Sequence, residues 1–392
     1  MFFNQECKYF LSNRPCKFHK LNLNLTCEKC NKFSKKSKKI LIIKLAALGD
    51  VVRTTSILKP LYNKYNSPEI YWLTYPEAVS ILENNPYIKE IIVYSDGWQL
   101  LAEKFDFVIN LDLDVEALRL SKLISAEKKL GFYFDENNKV VCSNLWAEKW
   151  FSLSHNDKLK KQNKLTYQEC ILKICEIDGV KSNGYPIIIN LSEEEKKFAQ
   201  EFKLKKGIDK NDFVIGINTG GGEKWPKKEW PVENTVELIK MLVNQEKVII
   251  KKSRKYKKVK ILIFGGKKEK ERNRKIFSLL NFANSKSVVI DTGTNNSLRE
   301  FCSLLNLCNV VVCTDTLALH LCLGLNKKVV ALFGPTSYNE IELYGLGKKV
   351  VSPMDCIVCY DRSCKKSPYC MNLISPKKVF SETVKLSQSS IK

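Results

Sequence analysis

Short apolar runs, each followed by a helical pattern of apolar and polar positions, recur along most of the chain. The first run, KILIIKL at 39–45, precedes LGDVVRTT, and similar runs occupy 70–75, 88–94 and 105–112. Runs of this length, rich in β-branched residues, are typical of buried strands, and their alternation with helices predicts a parallel sheet. We therefore expect residues 39–185 to form a doubly wound α/β domain.

The alternation is interrupted before a second series begins. The stretch KSNGYPIII, residues 181–189, contains Asn, Gly and Pro, which typically break regular structure. The charged stretch SEEEKKFAQEFKL that follows, residues 192–204, predicts a helix. Ser192 is expected at its N-cap, and Glu195 has the spacing of a capping box.

The second series starts at FVIGINTG, residues 213–220, and continues through VKILIFGG, SVVIDTG, NVVVCTD and KVVALFGPT. It predicts a second Rossmann-like domain over 186–374, followed by a C-terminal helix in 375–392. Residues 1–38 are expected to form a Cys-rich N-terminal segment. Ligands of doubly wound sheets bind beyond the carboxyl ends of the strands, so two such domains predict a ligand-binding cleft between them.

Composition is consistent with a two-domain globular protein. The 392 residues are 44% hydrophobic, and no apolar run is long enough to span a membrane. The start of the chain lacks the pattern of a signal peptide, so a cytoplasmic protein is expected. The net charge of +23 favours anionic partners, but only eight basic residues are Arg, the type that specific phosphate and base recognition prefers. Compositional bias is therefore the simpler source of the charge.

The most specific chemistry lies in VVVCTDTLALHLCLGLNKKVVALFGPT, residues 310–336. A strand ends at Asp315 and Thr316 and a helix begins at once, so its free N–H groups and positive dipole end suit a diphosphate. Asp315 and Thr316 can cap this helix, and Thr316 can also donate to a phosphate oxygen. His320 is expected about one turn further, on the cleft side. A buried structural histidine is the alternative for His320 taken alone.

The stretch LAALGDVVRTT, residues 45–55, follows the first strand. Taken alone, Asp50 is predicted to be the N-cap of the helix that starts there. The alternative is a carboxylate at the mouth of the cleft that accepts a proton. These two roles partly conflict, because a carboxylate bonded to helix N–H groups has a lowered pKa and is a weaker base.

These two stretches, together with KEWPVENTVELI at 228–239, resemble glycosyltransferase family 9, which includes the ADP-heptose:lipopolysaccharide heptosyltransferases. The resemblance covers roughly residues 38–390. It implies a GT-B fold, in which two Rossmann-like domains face a cleft, with the donor in the C-terminal domain. It further implies that a sugar, with heptose as the candidate, passes with inversion from a nucleotide diphosphate to a hydroxyl of a lipopolysaccharide-like glycolipid or glycan. No metal is needed for this transfer.

The resemblance also assigns roles to individual residues. Asp50 matches the family's proposed general base, which is needed because the acceptor hydroxyl loses its proton. Gly49 and Thr54 are then expected on the acceptor side. The residues expected to bind the donor are Thr219, Lys228, Glu269, Asp315, Thr316 and His320.

The donor-side lysine has two candidates, since Lys224 and Lys228 both lie near a Trp-Pro pair. The spacing from the pair at 230–231 to ELI favours Lys228, whose charge would neutralise the departing diphosphate. Thr219 is expected to hold the same phosphates, and Glu269, in FGGKKE, to lie near the nucleotide base and ribose. A solvated charge is the simpler alternative for Glu269.

Two features differ from common patterns. Many family members have Asp-Thr-Gly where this chain has Leu317 in third place, and Gly would allow a closer approach of backbone to phosphate. The stretch NLDLD at 110–114 resembles the metal-binding Asp-x-Asp of other glycosyltransferases. Its place in the first domain favours a strand end followed by a helix cap, with acceptor contact through Asp112 or Asp114 as the alternative.

Eight of the fifteen Cys form two clusters, one near each end of the chain. Clustered Cys in a reducing compartment favours metal over disulfides, and structural Zn²⁺ is the first expectation, with an iron–sulfur cluster or free thiols as alternatives. One joint site formed by both clusters is a further alternative. The first cluster, near His19, contains Cys7, Cys16, Cys27 and Cys30. The second contains Cys356, Cys359, Cys364 and Cys370.

The expected partners are a nucleotide-diphosphate sugar, with ADP-heptose as the candidate, and a glycolipid or glycan acceptor. The basic surface is also consistent with peripheral contact at the inner membrane. No nucleic-acid partner is expected, although a nucleic-acid-binding protein with zinc knuckles is the rival from another class. A non-catalytic nucleotide-sugar binder is the second rival. Leu317 supports it, and the retention of Asp50 argues against it.

Overall fold

The computed structural model of the chain describes residues 2–179, 182–222, 225–251, 255–280 and 288–389. The strands of the first half are β1 Lys39–Ile43, β2 Glu69–Thr74, β3 Ile88–Val93, β4 Lys104–Asn110, β5 Ser125–Phe134 and β6 Val140–Cys142. Its helices are α1 Lys17–Leu21, α2 Leu48–Thr54, α3 Leu58–Lys64, α4 Pro76–Leu82, α5 Val115–Leu123, α6 Leu145–His155, α7 Asp157–Gln162 and α8 Tyr167–Ile174.

The second half repeats the alternation of strands and helices. Its strands are β7 Asp212–Asn218, β8 Lys258–Phe264, β9 Val289–Asp291, β10 Val310–Thr314, β11 Lys328–Phe333 and β12 Gly347–Val351. Its helices are α9 Glu193–Lys205, α10 Val232–Asn244, α11 Glu246–Ile250, α12 Lys270–Leu279, α13 Leu298–Leu305, α14 Leu317–Gly324 and α15 Pro376–Ser389. Short 3-10 segments lie at Cys27–Lys29, Thr55–Ile57, Tyr94–Ala102, Ser182–Gly184, Pro226–Lys228, Lys267–Glu269 and Cys370–Leu373.

Two six-stranded sheets form the cores of the two halves. The strand orders are β3-β2-β1-β4-β5-β6 and β12-β11-β10-β7-β8-β9, and each pair is parallel except β5 with β6. Ile40 to Ile43 of β1 are fully buried, as expected of a strand covered on both faces. The predicted GT-B architecture of two doubly wound domains is confirmed.

The strand order places the ligand-binding edge of each sheet. In both sheets the order of strands reverses in the middle, between β1 and β4 in the first and between β10 and β7 in the second. Doubly wound sheets bind ligands at the carboxyl ends of the strands beside such a reversal. Asp50 follows β1 and Asp315 follows β10, so both predicted site stretches lie at these edges.

The terminal segments differ in how they are packed. No residue in 2–39 is buried, although Cys7 and Lys35 form an antiparallel bridge that brings the ends of the N-terminal segment together. The C-terminal helix α15 instead packs on α10 and α11. Its Val379, Phe380 and Leu386 belong to the core of the second domain, so this helix is part of that domain's structure.

The predicted capping box at the start of α9 is confirmed. The backbone N–H of Glu195 donates to Ser192 Oγ over 3.2 Å, and the backbone N–H of Ser192 donates to Glu195 Oε2 over 2.7 Å. The carboxylate of Glu195 also forms an ion pair with Arg299 of α13, at 2.5 Å. The cap therefore connects the first helix of the second domain to a neighbouring helix.

We expect Ser192→Ala to lower the free energy of unfolding by about 1 kcal/mol, because one N–H at the start of α9 loses its acceptor. Urea denaturation measures this change, and Ser12→Ala, in an exposed turn, is the control. Nucleotide-sugar turnover should be unchanged, since α9 does not line the cavity described below. An unaltered unfolding midpoint would show that the cap contributes nothing measurable.

Candidate active site

The helix α2 begins earlier than the sequence predicts. Its N-cap is Ala47, whose carbonyl accepts from the backbone N–H groups of Asp50 and Val51 over 2.8 and 2.9 Å. Asp50 therefore lies inside the first turn, and the prediction that it is the N-cap is wrong. Its carboxylate accepts from Arg53 Nη2 over 2.5 Å, one turn further along the helix. The expected competition between capping and catalysis does not arise.

Cations around Asp50 determine its charge. Its side chain is 37% exposed, whereas that of Arg53 is 11% exposed. Burial alone would raise the pKa of Asp50, but the Arg53 and Lys44 cations outweigh it and lower the pKa to about 2. Asp50 is therefore ionised at neutral pH and can accept a proton.

A buried ion pair lies behind Asp50 at the end of β1. Lys44 Nζ donates to Asp112 Oδ1, and the backbone N–H of Leu45 donates to Asp112 Oδ2. Burial opposes charge on Lys44, but the carboxylate of Asp112, together with Tyr167 and Asp50, outweighs burial and raises the pKa of Lys44. Asp112 is thus committed to an internal pair. Asp114 takes the N-cap position of α5 without a side-chain capping bond, in keeping with a strand end followed by a helix start.

The side chain of Thr54 supports α2 from within the core. Its hydroxyl donates to the backbone carbonyl of Asp50 over 2.7 Å and lies 2.6 Å from the hydroxyl of Tyr167. Because a hydroxyl has one proton, the Tyr167 hydroxyl is the donor to Thr54. Thr54 is fully buried and does not line the cavity. It therefore stabilises α2, on the acceptor side, and does not itself face the ligand space.

On the second domain, β10 ends where α14 begins. Thr316 is at the N-cap of α14, but its hydroxyl donates to the carbonyl of Thr314 over 3.3 Å and makes no capping bond. Lys228 Nζ donates to the backbone carbonyl of Asp315 and lies 3.9 Å from Asp315 Oδ2. Burial would raise the pKa of Asp315, but its neighbours, with the Lys228 cation first among them, together outweigh burial and lower the pKa.

His320 is a neutral side chain at the junction of the two domains. Burial, followed by the nearby Arg53 cation, lowers its pKa to about 3. Its Nδ1 has no hydrogen-bond partner among the residues that the structure describes. A Cβ added at Gly49 would lie 3.1 Å from His320 Cδ2, so glycine at this position allows α2 and α14 to approach closely.

The residues at the start of α2 and those at the start of α14 line one cavity of about 350 Å³ between the domains. Its walls include six of the predicted site residues, namely Gly49, Asp50, Lys228, Asp315, Thr316 and His320. Leu317 also lines it, so the residue that replaces the family's common Gly faces the ligand space. Residues that sequence analysis did not identify include Arg53, Lys160, Trp225, Glu340 and Tyr360. Of these, only Arg53 has a sequence signal, its spacing three residues after Asp50.

Two predicted donor residues lie away from this cavity. Thr219 is buried, and its hydroxyl lies 3.0 Å from the carbonyl of Phe264 and 2.6 Å from the side-chain oxygen of Asn273. Its hydroxyl therefore links the end of β7 to β8 and α12, and it is not free to bind a phosphate. Glu269 accepts from the backbone N–H of Gly266 over 2.7 Å and lies close to Gly220, beside the loop that follows β7. Lys224, the alternative to Lys228, lies outside the described residues.

The thiols of each Cys cluster lie near one another. The four thiols of the first cluster line a cavity of about 590 Å³, formed within residues 2–33. In the second, burial together with the nearby thiols of Cys359, Cys364 and Cys356 raises the pKa of Cys370 to about 11. Within the described ranges, no group of three or more His, Cys, Asp or Glu side chains is arranged to hold a metal ion.

In the part of the chain that the structure describes, no helix has the length and apolar character needed to cross a bilayer. A family model for glycosyltransferase family 9 (heptosyltransferase) matches residues 94–370. The chain is 23% identical over 367 residues to lipopolysaccharide heptosyltransferase 1 of Campylobacter coli, covering 87% of this chain and 96% of that relative.

Solved structures show the same fold. The glycosyltransferase family 9 structure from Veillonella parvula has a TM-score of 0.69 at 21% identity, covering 90% of this chain and 98% of that one. The ADP-heptose lipopolysaccharide heptosyltransferase II of E. coli has a TM-score of 0.64 at 19% identity, covering 90% and 99%. Because the family model spans more than half of the sequence, this chain belongs to glycosyltransferase family 9 and is a glycosyltransferase.

Proposed function

We propose that this enzyme transfers a heptose, with inversion, from ADP-heptose to a hydroxyl of a lipopolysaccharide core. The observation that carries the proposal is the pairing of an ionised carboxylate and a cationic site across one cavity. Asp50 lies on the first domain, and Lys228 with the N-terminus of α14 lies on the second. The names of the relatives, lipopolysaccharide and ADP-heptose heptosyltransferases, support the choice of donor and acceptor.

The donor diphosphate is assigned to the second domain. The free N–H groups at the start of α14 and the ammonium of Lys228 favour negative charge there, and this charge grows as the glycosyl–oxygen bond breaks. His320 is neutral and lines the cavity beside this site without adding a charge. The side chain of Leu317 limits how closely the phosphates can approach the backbone. This limit determines the position in which the donor binds.

The acceptor is assigned to the side of Asp50. As the acceptor oxygen attacks the anomeric carbon, its O–H bond breaks and Asp50 takes the proton. The bond between that carbon and the diphosphate oxygen breaks on the opposite face, and the nucleotide diphosphate leaves with the electron pair. Attack and departure on opposite faces invert the anomeric configuration.

The test is binding and turnover of a panel containing ADP-heptose, ADP-glucose, UDP-glucose and GDP-mannose, each with and without a heptose-deficient lipopolysaccharide acceptor. Saturable binding of ADP-heptose and acceptor-dependent release of ADP would support the proposal. Release of a different nucleotide would revise the identity of the donor and leave the rest of the proposal unchanged. Salt-dependent binding of RNA or DNA without affinity for any nucleotide sugar would favour the rival, a nucleic-acid-binding protein. Binding without turnover would favour the non-catalytic alternative.

We also propose a cytoplasmic enzyme that contacts the anionic inner face of the membrane, where a glycolipid acceptor would be presented. The net charge of +23 supports this, because basic surfaces are attracted to anionic lipids over about a Debye length. Sedimentation with phosphatidylglycerol vesicles should exceed that with phosphatidylcholine vesicles, and salt at about 0.5 M, roughly threefold above physiological ionic strength, should abolish the difference.

The Cys clusters are proposed as structural metal sites outside the transfer chemistry. Zn²⁺ bound by thiolates would cross-link the chain around each cluster. The thiols as placed do not form a closed group, so metal binding would have to draw them together. Elemental analysis of the purified chain tests this, with Cys27→Ser/Cys30→Ser and Cys356→Ser/Cys359→Ser separating the two clusters. Iron in place of zinc would identify the alternative metal, and stoichiometric absence of both would refute the sites.

A further inference from the structure

Arg53 forms the one side-chain hydrogen bond of Asp50 among the residues that the structure describes. Its Nη2 is 2.5 Å from Asp50 Oδ1, while Oδ2 has no protein partner in the described residues. A base that transfers a proton needs one oxygen free and a fixed orientation of the carboxylate. The ion pair provides both, since it holds one oxygen and leaves the other available.

Arg53 is itself held by an aromatic ring. The guanidinium lies 4.2 Å from the centroid of the Tyr167 ring, within the range of a cation–π contact. Tyr167 is buried, and its hydroxyl donates to Thr54 over 2.6 Å, so the ring is fixed to the same helix, α2. The backbone N–H of Tyr167 donates to the carbonyl of Glu340 in the second domain over 3.0 Å.

We propose that Arg53 is a positioning residue for Asp50, with the Tyr167 ring as its platform. The inference rests on the proposed role of Asp50 as the base. Arg53 acts by fixing the carboxylate, and Tyr167 acts by fixing Arg53. The bond from Tyr167 to Glu340 extends this arrangement to the second domain, so the orientation of the base depends on how the two domains meet.

The first test measures the ionisation of Asp50 directly and needs no turnover. Carboxyl ¹³C NMR of Asp-labelled protein is recorded against pH, with the Asp50 signal assigned by its loss in Asp50→Asn. Arg53→Ala should raise the Asp50 titration midpoint from the acid end toward or above the ordinary value of about 3.9, because burial then acts without its nearest cation. Tyr167→Leu should shift it in the same direction, and Tyr167→Phe, which keeps the ring, should shift it less.

The matched control is Arg299→Ala. Arg299 is also 11% exposed and also forms a 2.5 Å ion pair, with Glu195, but it lies outside the cavity. Its loss should lower stability by a similar mechanism without moving the Asp50 titration. An Asp50 midpoint that is unchanged in Arg53→Ala, or that moves equally in Arg299→Ala, would overturn the proposal.

The second test uses activity and chemical rescue. Arg53→Ala should lower kcat by roughly tenfold to a hundredfold with little change in the Kd for the nucleotide diphosphate, a loss smaller than that of the base itself. Added guanidinium ion, below denaturing concentrations, should restore part of kcat in Arg53→Ala and none in Asp50→Asn. Turnover in wild type with full activity in Arg53→Ala would refute positioning while leaving the proposed function intact. Absence of turnover in wild type would refute the proposed function, and the NMR titration would still decide the role of Arg53.

Discussion

Asp50→Asn is expected to lower kcat by about 10²–10⁴-fold, the usual contribution of a general base. The amide has nearly the same size as the carboxylate but cannot accept the acceptor's proton. Binding of the nucleotide sugar should persist, because the donor is assigned to residues of the second domain. Steady-state release of ADP gives kcat, and calorimetry of donor binding gives Kd.

The control for this substitution is Asp114→Asn, at the exposed start of α5 and outside the cavity. It should leave both kcat and Kd unchanged. A kcat for Asp50→Asn within a factor of about three of wild type would remove Asp50 from the chemistry. Loss of donor binding in that variant would instead indicate that the two domains no longer meet correctly.

The lowered pKa of Asp50 sets the expected pH dependence. With a pKa of about 2, the carboxylate is in its base form at any pH above that value. Protonation of Asp50 should therefore not reduce kcat between about pH 5 and 7, whereas a base with a pKa near 6 would lose activity across this range. The low pKa also makes Asp50 a weak base. The acceptor proton is therefore transferred late, when the bond between the anomeric carbon and the acceptor oxygen is already forming.

Lys228→Met is expected to lower kcat by about 10²–10³-fold, the cost typical of removing one group that stabilises charge developing in the transition state. The ammonium of Lys228 is 13% exposed and points to the Asp315 carbonyl before α14, where the diphosphate is assigned. Its loss also removes the cation beside the Asp315 carboxylate, so that negative charge is no longer compensated and repels the phosphates more strongly. The Kd for ADP should rise as well.

Lys227→Met is the matched control, because this neighbouring ammonium lies over the Tyr369 ring at 5.0 Å and does not line the cavity. It should change kcat and Kd little. Equal losses in both variants would indicate a general effect of positive charge on donor attraction. A loss confined to Lys227→Met would place the diphosphate elsewhere.

The sequence predicted the sheets well because their signal is local. Ile40 to Ile43 form an apolar run, and a run of this kind has few alternatives to a strand covered on both faces. The capping box at Ser192 was equally predictable, since its two hydrogen bonds join residues three positions apart. The positions of Asp50 and Asp315 at the sheet edges follow from the strand order.

The detail of the site depends on contacts that no local pattern records. The start of α2 is set by the backbone of Ala47, so the preference of Asp for caps gave the wrong boundary. Thr219 has the expected place at a strand end, but its hydroxyl is taken by Phe264 and Asn273. Glu340 and Tyr360 line the cavity from the irregular segments after β11 and β12, where sequence spacing carries no information about direction.

In the proposed mechanism, acceptor and diphosphate occupy opposite sides of one cavity, with Asp50 on the first side and Lys228 on the second. The anomeric configuration of the transferred sugar, determined by NMR of the first-formed product, tests this most directly. We expect a configuration opposite to that of the donor. A product that retains the donor's configuration would contradict it.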